Sequence, residues 1–263
     1  MQQRTTAAAT SEAIAYDSWA PFYDATDADR APFISFYGTL VSPATRSILE
    51  LGCGTGTVLA ALAQRLGQRP GDSSIVGVDG SVGMLAVARR KYPQLDFRLG
   101  DIRNPPVEDR FDLQVCAFNT FQHLLSDEDL RQALSAARTH AAPHGALAFD
   151  VYQPDAAYLA TPHADRLARS SVDSEGRHLE IREDTAYDAA SKLLTIRWRL
   201  HRTDLADPAP IAETSYRMRQ FFPDEIDEHL AASGWAITHR YGDFDRSPFT
   251  ATSRKQVLIC SVR

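Results

Sequence analysis

Five short apolar runs, Ser47–Leu51, Ile75–Asp79, Leu95–Leu99, Phe111–Ala117 and Ala146–Tyr152, alternate along the chain with segments whose apolar positions repeat at three- and four-residue steps. Runs that are apolar on both faces belong to a sheet covered on both sides, and strand–helix alternation predicts parallel strands. The helices carry start signals. Ser81 stands as an N-cap ahead of Met84, Leu85 and Ala88, and Ser126 caps a segment in which Leu130, Ala133, Leu134 and Ala137 form one stripe. The expected fold class is α/β, a doubly wound sheet over residues 45–152.

The flanks read differently. Residues 1–12 are small and polar and predict a disordered start. Within 13–44, the aromatic and apolar residues Trp19, Phe22, Tyr23, Phe33, Phe36, Tyr37 and Leu40 predict one or two short amphipathic helices that form a cover. Within 153–222, three extended runs (178–187, 192–204 and 211–221) are separated by turn-forming segments at 188–191 and 207–210, which predicts an antiparallel β-meander inserted into the fold. Residues 223–263 begin with a helix, opened by Pro223 and stopped by Gly234. Two final strands, Ala236–Tyr241 and Gln256–Val262, complete the core sheet.

Composition narrows the function. The 263 residues carry 28 basic and 34 acidic side chains, a formal charge of −6. That balance has no general attraction for a phosphate backbone, so the expected partner is a small molecule and not a nucleic acid. No run approaches the roughly 18 apolar residues of a membrane span, and the first fifteen residues lack the apolar core of a secretory signal, so a cytoplasmic protein without membrane contact is expected. Cys53, Cys116 and Cys260 are far apart, without metal-ligand or redox spacing, and are expected as reduced thiols; no metal site is expected. Asn104-Pro105-Pro106 lacks the following aromatic residue that would stack a flipped base, and reads as a rigid turn.

The first run leads into Glu50-Leu51-Gly52-Cys53-Gly54-Thr55-Gly56 and then a helix. Glycines at such a turn permit positive φ and close approach of a nucleotide-like ligand. A dinucleotide fingerprint would place its third glycine at position 57, which is threonine, and the Glu50 carboxylate repels a diphosphate while attracting a cationic amino group. Asp79, at the end of the second run, is placed to accept both hydroxyls of a ribose. After the third run comes Gly100-Asp101-Ile102, with Asp101 placed for an exocyclic amine and Ile102 for an adenine face. Together these describe adenosine without phosphates, extended by an amino-acid tail.

These residues resemble the class I S-adenosylmethionine-dependent methyltransferases. Residues 50–56 are similar to their first motif, and Asp79 and Gly100-Asp101-Ile102 to the second and third. The resemblance implies S-adenosylmethionine as cofactor and a Rossmann-like seven-stranded sheet in the order 3-2-1-4-5-7-6, with strand seven antiparallel. It implies that Gly52 and Gly54, with Cys53 between them, line the methionine moiety. Asp79 and Gly80 would then meet the ribose, Met84 and Ile102 the adenine faces, and Asp101, beside Gly100, the adenine amino group. The N-terminal Tyr16-Asp17 and Tyr23-Asp24 pairs and the meander are similar in layout to small-molecule N-methyltransferases of the glycine, sarcosine and amino-sugar N,N-dimethyltransferase type. In those enzymes an N-terminal tyrosine lies near the cofactor, and the meander covers substrate or mediates dimer contacts, so the resemblance leaves room for a homodimer through 153–222.

Methyl transfer from a sulfonium is an in-line displacement from an activated donor, so the protein mainly aligns the acceptor and excludes water. A nearby base is useful because an amine must be neutral to attack. The segment Phe118–His123, after the fourth strand, is expected beside the cofactor, with His123 as candidate base because an imidazole ordinarily titrates near physiological pH. Asn119 would position substrate or cofactor, or merely form a turn. Tyr16 and Tyr23 would offer hydroxyls or ring faces to the sulfonium and acceptor, Tyr16 with a catalytic part. The expected function is methyl transfer to a small molecule, more at nitrogen than oxygen. The alternatives are a small-molecule O-methyltransferase, an NAD(P)-dependent oxidoreductase, and a non-catalytic cofactor-binding module.

Overall fold

The computed structural model describes residues 11–26, 30–67, 74–205 and 209–263. Most of the start expected to be disordered therefore lies outside the described residues, as do positions 207 and 208 of the expected turn. Ser11 and Glu12 instead open the first helix, α1 (Ser11–Ala15), which is followed by α2 (Ala20–Thr26) and α3 (Ala31–Gly38). The cover is thus three short helices. Their anchors are aromatic: Trp19 and Tyr37 are fully buried and Phe36 nearly so.

The five expected strands are β1 (Ser47–Leu51), β2 (Ser74–Asp79), β3 (Asp96–Leu99), β4 (Phe111–Cys116) and β5 (Ala141–Tyr152). Between them lie α4 (Thr57–Leu66), α5 (Val82–Lys91) and α6 (Asp127–Thr139). The caps are where the sequence puts them: Ser81 Oγ accepts from Met84 N at 3.1 Å, and Ser126 Oγ from Asp129 N at 3.1 Å.

After β5 come a short helix, α7 (Ala156–Leu159), and four strands, where the sequence led us to expect three: β6 (His163–Val172), β7 (His178–Asp188), β8 (Leu193–Arg202) and β9 (Ala212–Arg219). They form a separate antiparallel sheet in that order. β6 escapes sequence reading because it is an edge strand without a buried residue, so no apolar alternation marks it. The chain ends with α8 (Pro223–Ala232), β10 (Trp235–Tyr241) and β11 (Lys255–Val262), and Gly234 takes the left-handed φ of +78° that stops the helix.

The central sheet has the order β10-β11-β5-β4-β1-β2-β3, with β11 antiparallel to both neighbours. This is the Rossmann-like order with a reversed seventh strand that the family resemblance implies. Successive strand residues feed opposite layers. Leu49, Leu147 and Phe149 pack with Leu130, Leu134, Ile226 and Trp235 on one face. On the other, Ile48, Val115 and Ala148 pack with Leu59, Leu62, Leu85 and Phe36. The three cysteines are buried free thiols. Among the described residues no helix is long and apolar enough to cross a membrane.

The four-stranded sheet meets the core through the cover. Trp19 packs on Leu179, Ile181 and Leu200, and Tyr16 lies against the cluster of Leu194, Ile196, Tyr216 and Met218. Replacing the fully buried Leu59 by alanine should cost about 2–5 kcal/mol of unfolding free energy, read from urea denaturation, because the filled layer between α4 and the sheet cannot collapse onto the gap.

Candidate active site

The carboxyl ends of β1, β2 and β3 open on one cleft of about 1010 Å³, its open mouth included. Gly52 (φ +74°) is where two loops touch: a Cβ there would come within 2.3 Å of the Thr120 side chain. Gly54 (φ +52°) faces open space, with nothing within 4 Å of a Cβ, and its N–H donates to Asp79 Oδ2 at 2.8 Å. The loop is thereby tied to the end of β2 while its ligand-facing side stays clear.

Asp79 also accepts from Ser81 N at 2.8 Å through Oδ1. Burial pushes its carboxyl above the usual range, opposed by these two N–H groups, and each oxygen keeps a lone pair for a ribose hydroxyl. Glu50 is 2% exposed, and its Oε2 has no hydrogen-bond partner among the described residues. Burial pushes Glu50 well above the usual carboxylate range, a backbone N–H at Leu59 opposes this, and the charge of Asp79 adds to it. A buried acceptor without a donor is costly, and an ammonium group in the cleft would relieve the cost.

Met84 and Ile102 line the same cleft, together with Gly80, Gly100 and Asp101. Asp101 is fixed by Arg103, which donates from Nε at 3.0 Å and from Nη2 at 2.6 Å and also pairs with Asp129. An acceptor oxygen is therefore held at the purine end by a side chain two residues away.

At the other end, Phe118 and Asn119 both adopt left-handed backbone (φ 60° and 59°), an uncommon choice for two successive non-glycine residues. Phe118 N donates to Asp150 Oδ1 at 2.9 Å, and the Phe118 ring packs edge-on against Phe33 with centroids 4.4 Å apart. The 3-10 turn Thr120–His123 follows and carries His123 to the cleft. His123 Nε2 lies 3.3 Å from Tyr16 Oη, and the His123 ring packs against Tyr16 and Tyr216 at 5.4 and 5.5 Å. Burial lowers His123 to about 4, against opposing pulls from Glu12 and the backbone at Arg217. The expectation of an imidazole titrating near neutrality is corrected here: aromatic packing desolvates the ring and keeps it uncharged. Tyr16 is held well above its ordinary value, first by burial and then by Tyr23, so it remains a phenol.

The structure brings fourteen of the fifteen expected site residues to this cleft: Tyr16, Tyr23, Glu50, Gly52, Cys53, Gly54, Asp79, Gly80, Met84, Gly100, Asp101, Ile102, Phe118 and His123. Asn119 is the exception. It is buried outside the lining, and its Oδ1 accepts from Lys255 Nζ at 3.2 Å. Sequence reading missed Glu12, Arg30 and Asp17. The Arg30 guanidinium lines the cleft, lies over the rings of Tyr23 and Phe118 at 4.8 and 5.6 Å, and donates to Asp24 at 2.7 Å, a position suited to the carboxylate of an amino-acid tail. Asp17 Oδ1 accepts from Ser81 Oγ at 2.5 Å and Gly83 N at 2.8 Å, fastening the cover to the start of α5. The repeated tyrosine–aspartate pair was the available signal for Asp17; Arg30 had none, since no motif includes it and Phe118, the ring it shares with the cleft, is 88 positions away.

Residues 48–145 match the family model of the methyltransferase domain. The chain is 29% identical over 151 residues (53% of this chain, 57% of the relative) to a dTDP-3-amino-3,6-dideoxy-alpha-D-glucopyranose N,N-dimethyltransferase of Streptomyces fradiae. It is 24% identical over 192 residues (72% of this chain, 70% of the relative) to a dTDP-4-amino-2,3,4,6-tetradeoxy-D-glucose N,N-dimethyltransferase of Saccharopolyspora spinosa. The match thus spans little more than half the length of the first relative. In fold, the chain is similar to the CcbJ methyltransferase of Streptomyces caelestis, with a TM-score of 0.79 at 24% identity over 96% of this chain and 99% of that one. It is also similar to the sugar N-methyltransferase KedS8 of a Streptoalloteichus species, with a TM-score of 0.70 at 21% identity over 100% and 96%.

Two outcomes test this geometry. Asp79→Ala should weaken binding of S-adenosylhomocysteine by about 1.5–3 kcal/mol, the loss of a charge-assisted hydrogen bond, in isothermal calorimetry. His123 should also set a pH dependence of stability. Between its ordinary value of 6.5 and about 4, the unfolded imidazole takes up a proton that the folded one refuses. The stability it contributes is therefore full above that window and is lost as pH falls through it. Thermal unfolding of His123→Asn should lose less between pH 7 and pH 4.5 than that of the unmodified protein.

Proposed function

We propose that this chain is an S-adenosylmethionine-dependent methyltransferase, with its cofactor domain at residues 48–145, and that it methylates the amino nitrogen of a small sugar-like acceptor. The observation that carries the reading is the uncharged Tyr16–His123 pair lining the same cleft as Glu50, Asp79 and Asp101. The curated relatives named for amino-sugar N,N-dimethylation supply the acceptor class.

Bound in this cradle, S-adenosylmethionine supplies a methyl group already activated on a sulfonium. Asp79 would hold the ribose, Met84 and Ile102 the purine faces, Asp101 the exocyclic amine, Glu50 the ammonium and Arg30 the carboxylate of the tail. Three inward-facing carboxylates fit a cationic nucleoside and oppose a diphosphate.

The work left to the chain is alignment and water exclusion. An amine attacks only through a free lone pair, so a group that accepts a hydrogen bond from its N–H without itself being protonated favours the reactive form. His123 meets that condition because burial keeps its ring neutral. Tyr16, whose phenol keeps its proton, stands 3.3 Å from Nε2 and orients the ring. In the displacement the nitrogen lone pair forms the new N–C bond as the C–S bond breaks, and the nitrogen then releases a proton toward the mouth of the cleft.

His123→Ala and Tyr16→Phe should each lower kcat with an amino-sugar acceptor, the former by about 10²-fold, while calorimetric affinity for S-adenosylhomocysteine changes less than twofold. The pH profile of kcat/KM should rise with deprotonation of the acceptor amine and show no inflection from His123 between pH 6 and 8. Unchanged turnover in both variants would overturn the assignment.

A further inference from the structure

The cover contributes a second charged group to the acceptor end of the cleft. Glu12 stands one helical turn ahead of Tyr16, lines the cleft and is 5% exposed. Its Oε1 accepts from both Nε and Nη2 of Arg217 at 3.0 Å, and its charge acts on the ring of His123. Arg217 lies on β9 next to Tyr216, whose ring packs against both Tyr16 and His123. A carboxylate is thus carried into an otherwise aromatic wall and locked there by a guanidinium from another element.

We propose that Glu12 is a specificity-determining residue that recognises the acceptor by its positive charge, and so selects amines over the corresponding alcohols. The inference rests on the amine reading of the site given above. A small aliphatic amine reaches a protein near neutrality as an ammonium, a buried carboxylate attracts that group more strongly than a hydroxyl, and the amine gives up its proton to solvent before it attacks. The Arg217 pair fixes the side-chain rotamer in advance, so little ordering cost remains to be met on binding. Three contacts hold α1 in place: this pair, Thr214 Oγ1 donating to Ala15 O at 2.5 Å, and Asp17 at Ser81 and Gly83. Losing the charge at Glu12 therefore leaves the helix docked. Glutamine preserves this arrangement, since its amide oxygen still accepts from Arg217.

The experiment compares the unmodified protein with Glu12→Gln, using dTDP-3-amino-3,6-dideoxyglucose as acceptor and its 3-hydroxy counterpart as a competitive inhibitor. The expected result is a KM for the amine raised tenfold or more with a smaller change in kcat, an unchanged inhibition constant for the hydroxy compound, and an S-adenosylhomocysteine affinity within twofold of the original. An unchanged KM, or equal weakening of amine and hydroxy compound, overturns the proposal while leaving the amine reading intact. A drop in cofactor affinity with KM unaltered overturns it too, by making Glu12 a cofactor contact. Absence of transfer to the amine by the unmodified protein overturns the amine reading first, and this inference with it.

Discussion

The carboxylate of Asp79 is the constraint on which the cleft depends. It stands where β2 ends and accepts one N–H from the loop after β1 and one from the entry to α5, both at 2.8 Å. One side chain therefore sets the separation of two loops that a nucleoside must bridge. Ser81 passes the constraint outward by donating to Asp17, which also accepts from Gly83, so the N-terminal cover hangs from the same point. Two backbone donors steady an anion whose burial would otherwise favour its neutral form. The carboxylate is thereby kept where ribose hydroxyls can complete its coordination.

A second buried carboxylate, Asp150, has the matching role on the acceptor side. It receives Tyr37 Oη at 2.7 Å, Phe118 N at 2.9 Å and Lys255 Nζ at 3.1 Å. Those bonds, with Phe33 against Phe118, over-determine a backbone that goes left-handed at two successive residues, each costing about 1–3 kcal/mol. The strained corner lifts the following turn out of the sheet plane and delivers His123 to Tyr16. Two successive left-handed residues thus stand directly before the turn whose His123 meets Tyr16 of the cover.

The core was legible in the sequence because it repeats a local rule. Alternating strands and helices, serine caps at 81 and 126, and glycines at 52, 54 and 56 each leave a mark within a few residues. The cradle was legible for the same reason, since its acids sit at strand ends. What stayed hidden depends on distance or on the absence of a pattern. β6 has no buried residue to print an alternation. Asn119 could be read as a ligand or as a turn, and its bond with Lys255, 136 positions away, leaves no mark in the local sequence. His123 was found, but its low proton affinity comes from the rings of Tyr16 and Tyr216, 107 positions before it and well after it in the chain. Composition cannot show desolvation of that kind.

The same separation explains how the molecule divides its tasks. The cofactor cradle is built on the two packing layers of the central sheet, whereas the acceptor wall is built where α1 and α2 meet the four-stranded sheet, in clusters around Trp19 and Tyr216 that are distinct from those layers. Groups without shared partners contribute nearly additively to free energy. Changes in β9 or in the face of α1 can therefore reshape the space above Tyr16 without moving Gly54, Asp79 or Asp101. Cover and cradle are joined by Asp17 at Ser81 and Gly83, by Asp24 at Thr55 and Lys91, and by Tyr16 and Tyr23 packed against Met84 and Val87, so the cover keeps its register on the cradle.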